Sequence, residues 1–75
     1  MEEFITTRSG VEAYVEPATQ QQTPTFVLVA FDGEWQRFPL TDDEALSKLA
    51  NKHALPVYDA SRVGYPKRMK DYRRD

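Results

Sequence analysis

The chain has 75 residues, of which 40% are hydrophobic and 29% charged, with no Cys, one His and a formal net charge of −2. That composition is globular rather than disordered, excludes a disulfide framework and leaves too few ligands for a recognisable zinc set. A chain this short buries only roughly 60% of the surface that it exposes when unfolded, so with disulfides and metal set aside, oligomerisation is the remaining source of extra stability.

One domain spanning residues 1–75 is expected. The start, "MEEFITTRSG", carries two acids and no long apolar run, so neither a signal peptide nor a membrane span is expected. The lack of Cys points to a reducing, cytoplasmic setting.

"FITTRSGVEAYV" reads as two strands around Ser9-Gly10, because Gly tolerates the positive φ of a two-residue hairpin turn. Alternation then puts Phe4, Thr6, Val11, Ala13 and Val15 on one side, the better core face, with Ile5 and Tyr14 on the other. "EPATQQQTPT" follows as a flexible connection, since Pro17 and Pro24 interrupt strand bonding and little in it can be buried.

"TFVLVAFDGEWQRFPL" is the strongest local signal: Asp32-Gly33 between apolar runs, the dipeptide favoured in type I′ hairpins. A two-residue turn pairs Phe31 with Glu34, Ala30 with Trp35, Leu28 with Arg37 and Phe26 with Pro39. Residues 26–31 are apolar on both faces. Pro39 lacks an N–H and ends its strand or marks an edge.

"TDDE" reads as a capping box with Thr41 as N-cap and Glu44 reaching back to its N–H. Helical spacing places Leu46, Leu49, Ala50 and His53 on one stripe, and the helix should stop near Leu55, before Pro56. A short extended piece at residues 57–58 precedes a loop. Pro66 suits a first helical position, so a second short helix over residues 66–73 is expected, with Tyr65, Met69 and Tyr72 along one stripe.

The fold expected is therefore α+β: a four-stranded antiparallel sheet of two hairpins, one main helix and a short C-terminal helix. One long helix covers one sheet face only. Phe26, Leu28, Trp35, Ile5 and Tyr14 remain on the other, more apolar surface than a monomer usually exposes. The C-terminal stripe is the obvious cover, lying either on its own sheet or on a partner subunit.

Candidate chemistry is sparse. His53 lies in the helix stripe and reads as packing or as a favourable charge at the helix C-terminus. Asp42, Asp43 and Glu44 form an acidic triplet where a helix N-terminus welcomes negative charge. Ser9, Ser47 and Ser61 lack a nucleophile-elbow context, and three glycines make no phosphate loop. No catalytic, metal or cofactor site is assigned, and an enzyme is not expected.

Charge is uneven. Residues 61–75 hold six bases against two acids, while residues 1–60 hold four bases against ten acids. Lys67, Arg68, Lys70, Arg73 and Arg74, interleaved with Tyr65 and Tyr72, form the one nucleic-acid signal, with basic groups for phosphate and rings for unpaired bases. The acidic body opposes it, and a solvated basic face is the simpler reading.

"RSGVE", "DGEW", "PVYD" and "VGYPKRMKDY" together resemble short bacterial proteins of uncharacterised function. The resemblance implies a small stand-alone protein of the same hairpin, helix and basic-aromatic end, and transfers no active site. The function expected is a non-catalytic protein-interaction module, with a homodimer as its first form, using Phe26, Leu28, Trp35, Tyr14, Tyr65, Met69 and Tyr72. A nucleic-acid-binding accessory protein using the basic end is the alternative.

Overall fold

The computed structural model describes residues 1–73 and shows an α+β protein with a four-stranded sheet in the order β3-β2-β1-β4. The elements are α1 (Glu2–Thr7), β1 (Glu12–Glu16), β2 (Thr25–Val29), β3 (Trp35–Pro39), α2 (Asp43–His53), β4 (Val57–Asp59), α3 (Ala60–Val63) and α4 (Lys67–Asp71). Among the described residues no helix is long and apolar enough to cross a membrane.

The sheet is mixed rather than purely antiparallel. β1 pairs antiparallel with β2 and parallel with β4, where Tyr14 sits opposite Tyr58. The expected first hairpin does not form, because β4 takes the place beside β1 that a strand over residues 4–8 would have occupied. That segment is instead a helix. Glu2 and Glu3 place negative charge on its first turn, the Thr6 and Thr7 hydroxyls donate back to the Glu3 carbonyl, and Phe4 is buried. Phe4 is buried and Thr6 exposed, so the two do not share a face as they would on a strand.

The Asp32-Gly33 hairpin forms, with its register one residue away from expectation. Val29 pairs with Trp35, Leu28 with Gln36 and Phe26 with Phe38. The loop has three residues, Phe31-Asp32-Gly33: the Gly33 N–H donates to the Ala30 carbonyl at 2.9 Å, and the Ala30 N–H to the Glu34 carbonyl at 2.7 Å. A one-residue slip moves every β3 side chain to the other face. Trp35 therefore sits with Val27 and Val29, and Phe38 with Phe26 and Leu28.

β2 is buried on both faces, with Val27, Leu28 and Val29 all at 0% exposure. On one side Phe26, Leu28 and Ala30 meet Phe4 of α1, Leu46 of α2 and Leu55. On the other, Tyr14, Val27 and Val29 are covered by Trp35, Ala60, Tyr65 and Met69. The C-terminal segment thus closes the second face within its own chain.

Asp42, not Thr41, caps α2, its carboxylate accepting from the Glu44 N–H at 2.9 Å. Asp at N-cap bonds two residues ahead as well as Thr does, and here the backbone enters the helix one residue later. α2 ends at His53, close to the expected stop before Pro56, on Ala54 in the left-handed region at φ 51°. An L residue there carries strain, so Ala54→Gly should raise stability by about 0.5–1 kcal/mol. A thermal melt higher by several degrees would show it, and an unchanged midpoint would contradict it.

The expected C-terminal helix forms as α4, shorter at Lys67–Asp71, and α3 is a further short helix where a loop was expected. α3 is capped by Asp59, whose carboxylate accepts from the Ser61 N–H and Oγ, and Pro66 caps α4.

Candidate interaction surface

The side chains expected to form an association face are largely spent inside the molecule. Phe26 and Leu28 are 2% and 0% exposed beneath α1 and α2, on the opposite side of the sheet from Trp35. Tyr14 is 6% exposed and stacks on Tyr58 at 5.3 Å between ring centroids. Tyr65 and Met69 lie half-buried on Tyr14, Val27 and Val29, and Tyr72 is half-buried beside Gly33.

Two carboxylates of β1 fasten this cover. Glu12 accepts from the Arg68 guanidinium and from the Tyr14 hydroxyl at 3.0 Å, while the Arg68 Nε–H donates to the Ala30 carbonyl at 3.0 Å. Glu16 accepts from Arg37 at 2.7 and 3.0 Å, from the Thr25 hydroxyl at 2.6 Å and from the Tyr65 hydroxyl. Arg37 foremost, against the cost of burial, holds the Glu16 carboxyl down at about 2, and Arg68 lowers that of Glu12. Burial, with Glu12 beside it, pushes the Tyr14 phenol up to about 12.

The sign of the pH effect follows. Both carboxylates titrate lower in the folded chain than in the unfolded one, so their contribution is complete above about pH 4.5 and fades as pH falls below it, for Glu16 down to about 2. After solvent screening, Glu16 contributes on the order of 1–2 kcal/mol. Urea midpoints should fall steadily below pH 4.5, with a shallower fall in Glu16→Gln; identical profiles would refute the fastening.

The basic end is partly consumed. Arg68 is engaged as above, Lys67 pairs with Asp71 at 3.1 Å, and Lys70 and Arg73 are exposed. Arg74 lies outside the described residues. Among the described residues no group of three or more His, Cys, Asp and Glu side chains could hold a metal ion. His53 faces the Glu2 carboxylate at 2.7 Å, joining α2 to α1, with Lys52 on the same carboxylate at 2.8 Å.

The large apolar side chain left most open is Phe31, 77% exposed at the tip of the β2–β3 loop. Its backbone is firmly held. The Phe31 N–H donates to the Ser9 carbonyl at 2.9 Å, and the Asp32 carboxylate accepts from the Glu34 N–H at 2.9 Å. Arg8 grips the base of the loop with two bonds to the Glu34 carboxylate, at 2.8 and 2.9 Å, and stacks over the Phe4 ring at 4.1 Å. Beside the tip, Ile5, Gly10, Val11, Leu55 and Pro56, with Arg8, Glu12, His53 and Ala54, line a hollow of about 430 Å³.

Phe31 escapes notice in the sequence because a two-residue loop makes it the last strand residue, facing Glu34. The available signal is Gly33: the third position of a three-residue loop also takes a left-handed Gly, so Asp-Gly fits either length. A second open apolar group, Val57, Tyr58 and Val63 at 44%, 39% and 61% exposure, lies on β4 and α3. β4 is three residues long, follows Pro56 and ends at Asp59, features that blunt a strand edge against pairing. Comparison of the chain with protein-family models, with curated proteins and with solved structures finds no match.

Proposed function

We propose that this chain is a non-catalytic protein-interaction module of the cytoplasm, with Phe31 as its anchor. The supporting observation is a bulky ring 77% exposed on a loop whose backbone is pinned to Ser9 and Glu34. Rigid aromatic side chains dominate binding energy, since little ordering cost is left to meet on association. Burying even ~100 Å² of that ring at about 25 cal/mol per Å² contributes about 2.5 kcal/mol. The surface first expected, centred on Phe26 and Leu28, is occupied by the chain's own helices and gives way to this one.

A photoreactive phenylalanine at position 31 tests the reading. A discrete crosslinked adduct should form in native cytoplasm from position 31 and not from exposed Gln20. No adduct, or the same adducts from both sites, would overturn it. Nucleic-acid binding through the basic end is the other reading, supported by exposed Lys70 and Arg73. The engagement of Arg68 with Glu12 weakens it, and binding to a single-stranded oligonucleotide that fell steeply with salt would favour it.

A further inference from the structure

We infer that Asp32-Gly33 is a latent self-modification site, where the chain can form a succinimide and then isoaspartate, and that the seated C-terminal segment holds it closed. The inference is independent of what Phe31 binds.

The chemistry needs no partner but water. The Gly33 main-chain nitrogen attacks Cγ of the Asp32 carboxyl group; the nitrogen gives up its proton, Cγ gives up a hydroxyl, and the two leave as water. Water then opens the five-membered ring at either carbonyl. Opening at the α-carbonyl breaks the original peptide bond and leaves the main chain running through the Asp32 side chain, which is isoaspartate, with no net change in mass. A glycine amide is the least hindered nucleophile for this ring closure, and Asp32-Gly33 is the one place in the sequence where Asp or Asn precedes Gly.

The folded loop holds both reacting groups. The Gly33 N–H donates to the Ala30 carbonyl at 2.9 Å, and that same carbonyl accepts from the Arg68 Nε–H at 3.0 Å. The Asp32 carboxylate is turned to the Glu34 N–H at 2.9 Å. Gly33 is buried, and a Cβ built on it would lie 2.0 Å from the Arg68 carbonyl oxygen and 3.2 Å from the Tyr72 Cβ. Ring closure must turn the Gly33 peptide unit out of this seat, so α4 has to lift first. Isoaspartate adds a methylene to the main chain between residues 32 and 33, so a molecule that reacts while open cannot seat α4 again. Opening and closing are fast beside this reaction, and its rate therefore follows the share of molecules that are open.

The test is to hold the full chain at neutral pH and physiological temperature, folded in buffer or unfolded in guanidinium chloride, and to map the peptide that contains Asp32. Isoaspartate at Asp32 should build up in the unfolded chain at least about tenfold faster than in the folded one. Folded Arg68→Met should react several-fold faster than the folded parent, with equal rates when both are unfolded. No isoaspartate at Asp32 in the unfolded chain overturns the site. Equal rates in the folded and unfolded parent overturn its protection by the fold, and a folded Arg68→Met that reacts no faster overturns the part given to the C-terminal segment. Hydrogen exchange at the Gly33 amide reads the same seat on the unaltered chain, so a misfolded variant cannot obscure the outcome. Exchange as slow as that of the β2 amides is expected, and exchange at the rate of an open loop overturns the closed seat.

Discussion

Gly33→Ala should cost about 3 kcal/mol or more, lowering the melting midpoint by at least 12 °C at the ~4–8 °C per kcal/mol typical of a domain this size. Two effects add. Gly33 has φ 96°, where an L side chain is strained by about 1–2 kcal/mol. It is also buried, and an added Cβ would lie 2.0 Å from the Arg68 carbonyl oxygen and 3.2 Å from the Tyr72 Cβ. A backbone carbonyl cannot swing aside as a side chain can, so α4 must lift from the loop. Trp35, packed in the cluster that α4 covers, should then show red-shifted fluorescence.

Gly64→Ala is the matched comparison. Its φ is 73° and nothing lies within 4 Å of an added Cβ, so backbone strain alone is lost there. Equal losses at the two glycines, with Trp35 fluorescence unmoved in both, would refute the close seating of α4 on the hairpin.

Removal of residues 65–75 should be more damaging still. It strips Tyr65 and Met69 from Tyr14, Val27 and Val29 and leaves Glu12 without Arg68. Uncovering on the order of 200 Å² of apolar surface at about 25 cal/mol per Å² costs about 5 kcal/mol, comparable with the whole stability of a small domain. The truncated chain should lack a cooperative thermal transition. A transition within a few degrees of the full chain's would mean that the second sheet face needs no cover. Arg68→Met is the milder version: it keeps the apolar stem, strands Glu12, and should cost about 2 kcal/mol.

The legible parts of this fold are those where one local signal had one reading. The apolar run announces a strand shielded on both sides, which holds over residues 26–30 and fails at Phe31, and Tyr65 and Met69 announce a cover for it. α2 shows in its acidic start and in the Leu46 and Ala50 spacing, though the cap falls on Asp42. Phe4 and Thr6 were ambiguous because six residues hold too few periods to separate a turn of helix from a strand. The parallel pairing of β4 with β1 joins segments more than 40 residues apart, and no short-range pattern encodes it.

The hairpin register was hidden for a specific reason. Since β2 is apolar at every position from Phe26 to Val29, sliding β3 by one residue loses little on β2's side, and packing around Trp35 and Phe38 decides. That slip separates Trp35 from Leu28 and places Phe31 on the loop. The candidate surface therefore depended on the feature that the sequence specified least. The apolar sheet face does need cover, and Tyr65 and Met69 supply it from within the chain.

The most direct test is a methyl NOE measurement on dilute, monomeric protein. The Met69 methyl and the Tyr65 ring should show strong intramolecular NOEs to the Val27 and Val29 methyls, with slow exchange of the β2 amides. An absence of those NOEs while β2 stays protected would contradict the closure of the second sheet face by the chain's own C-terminal segment.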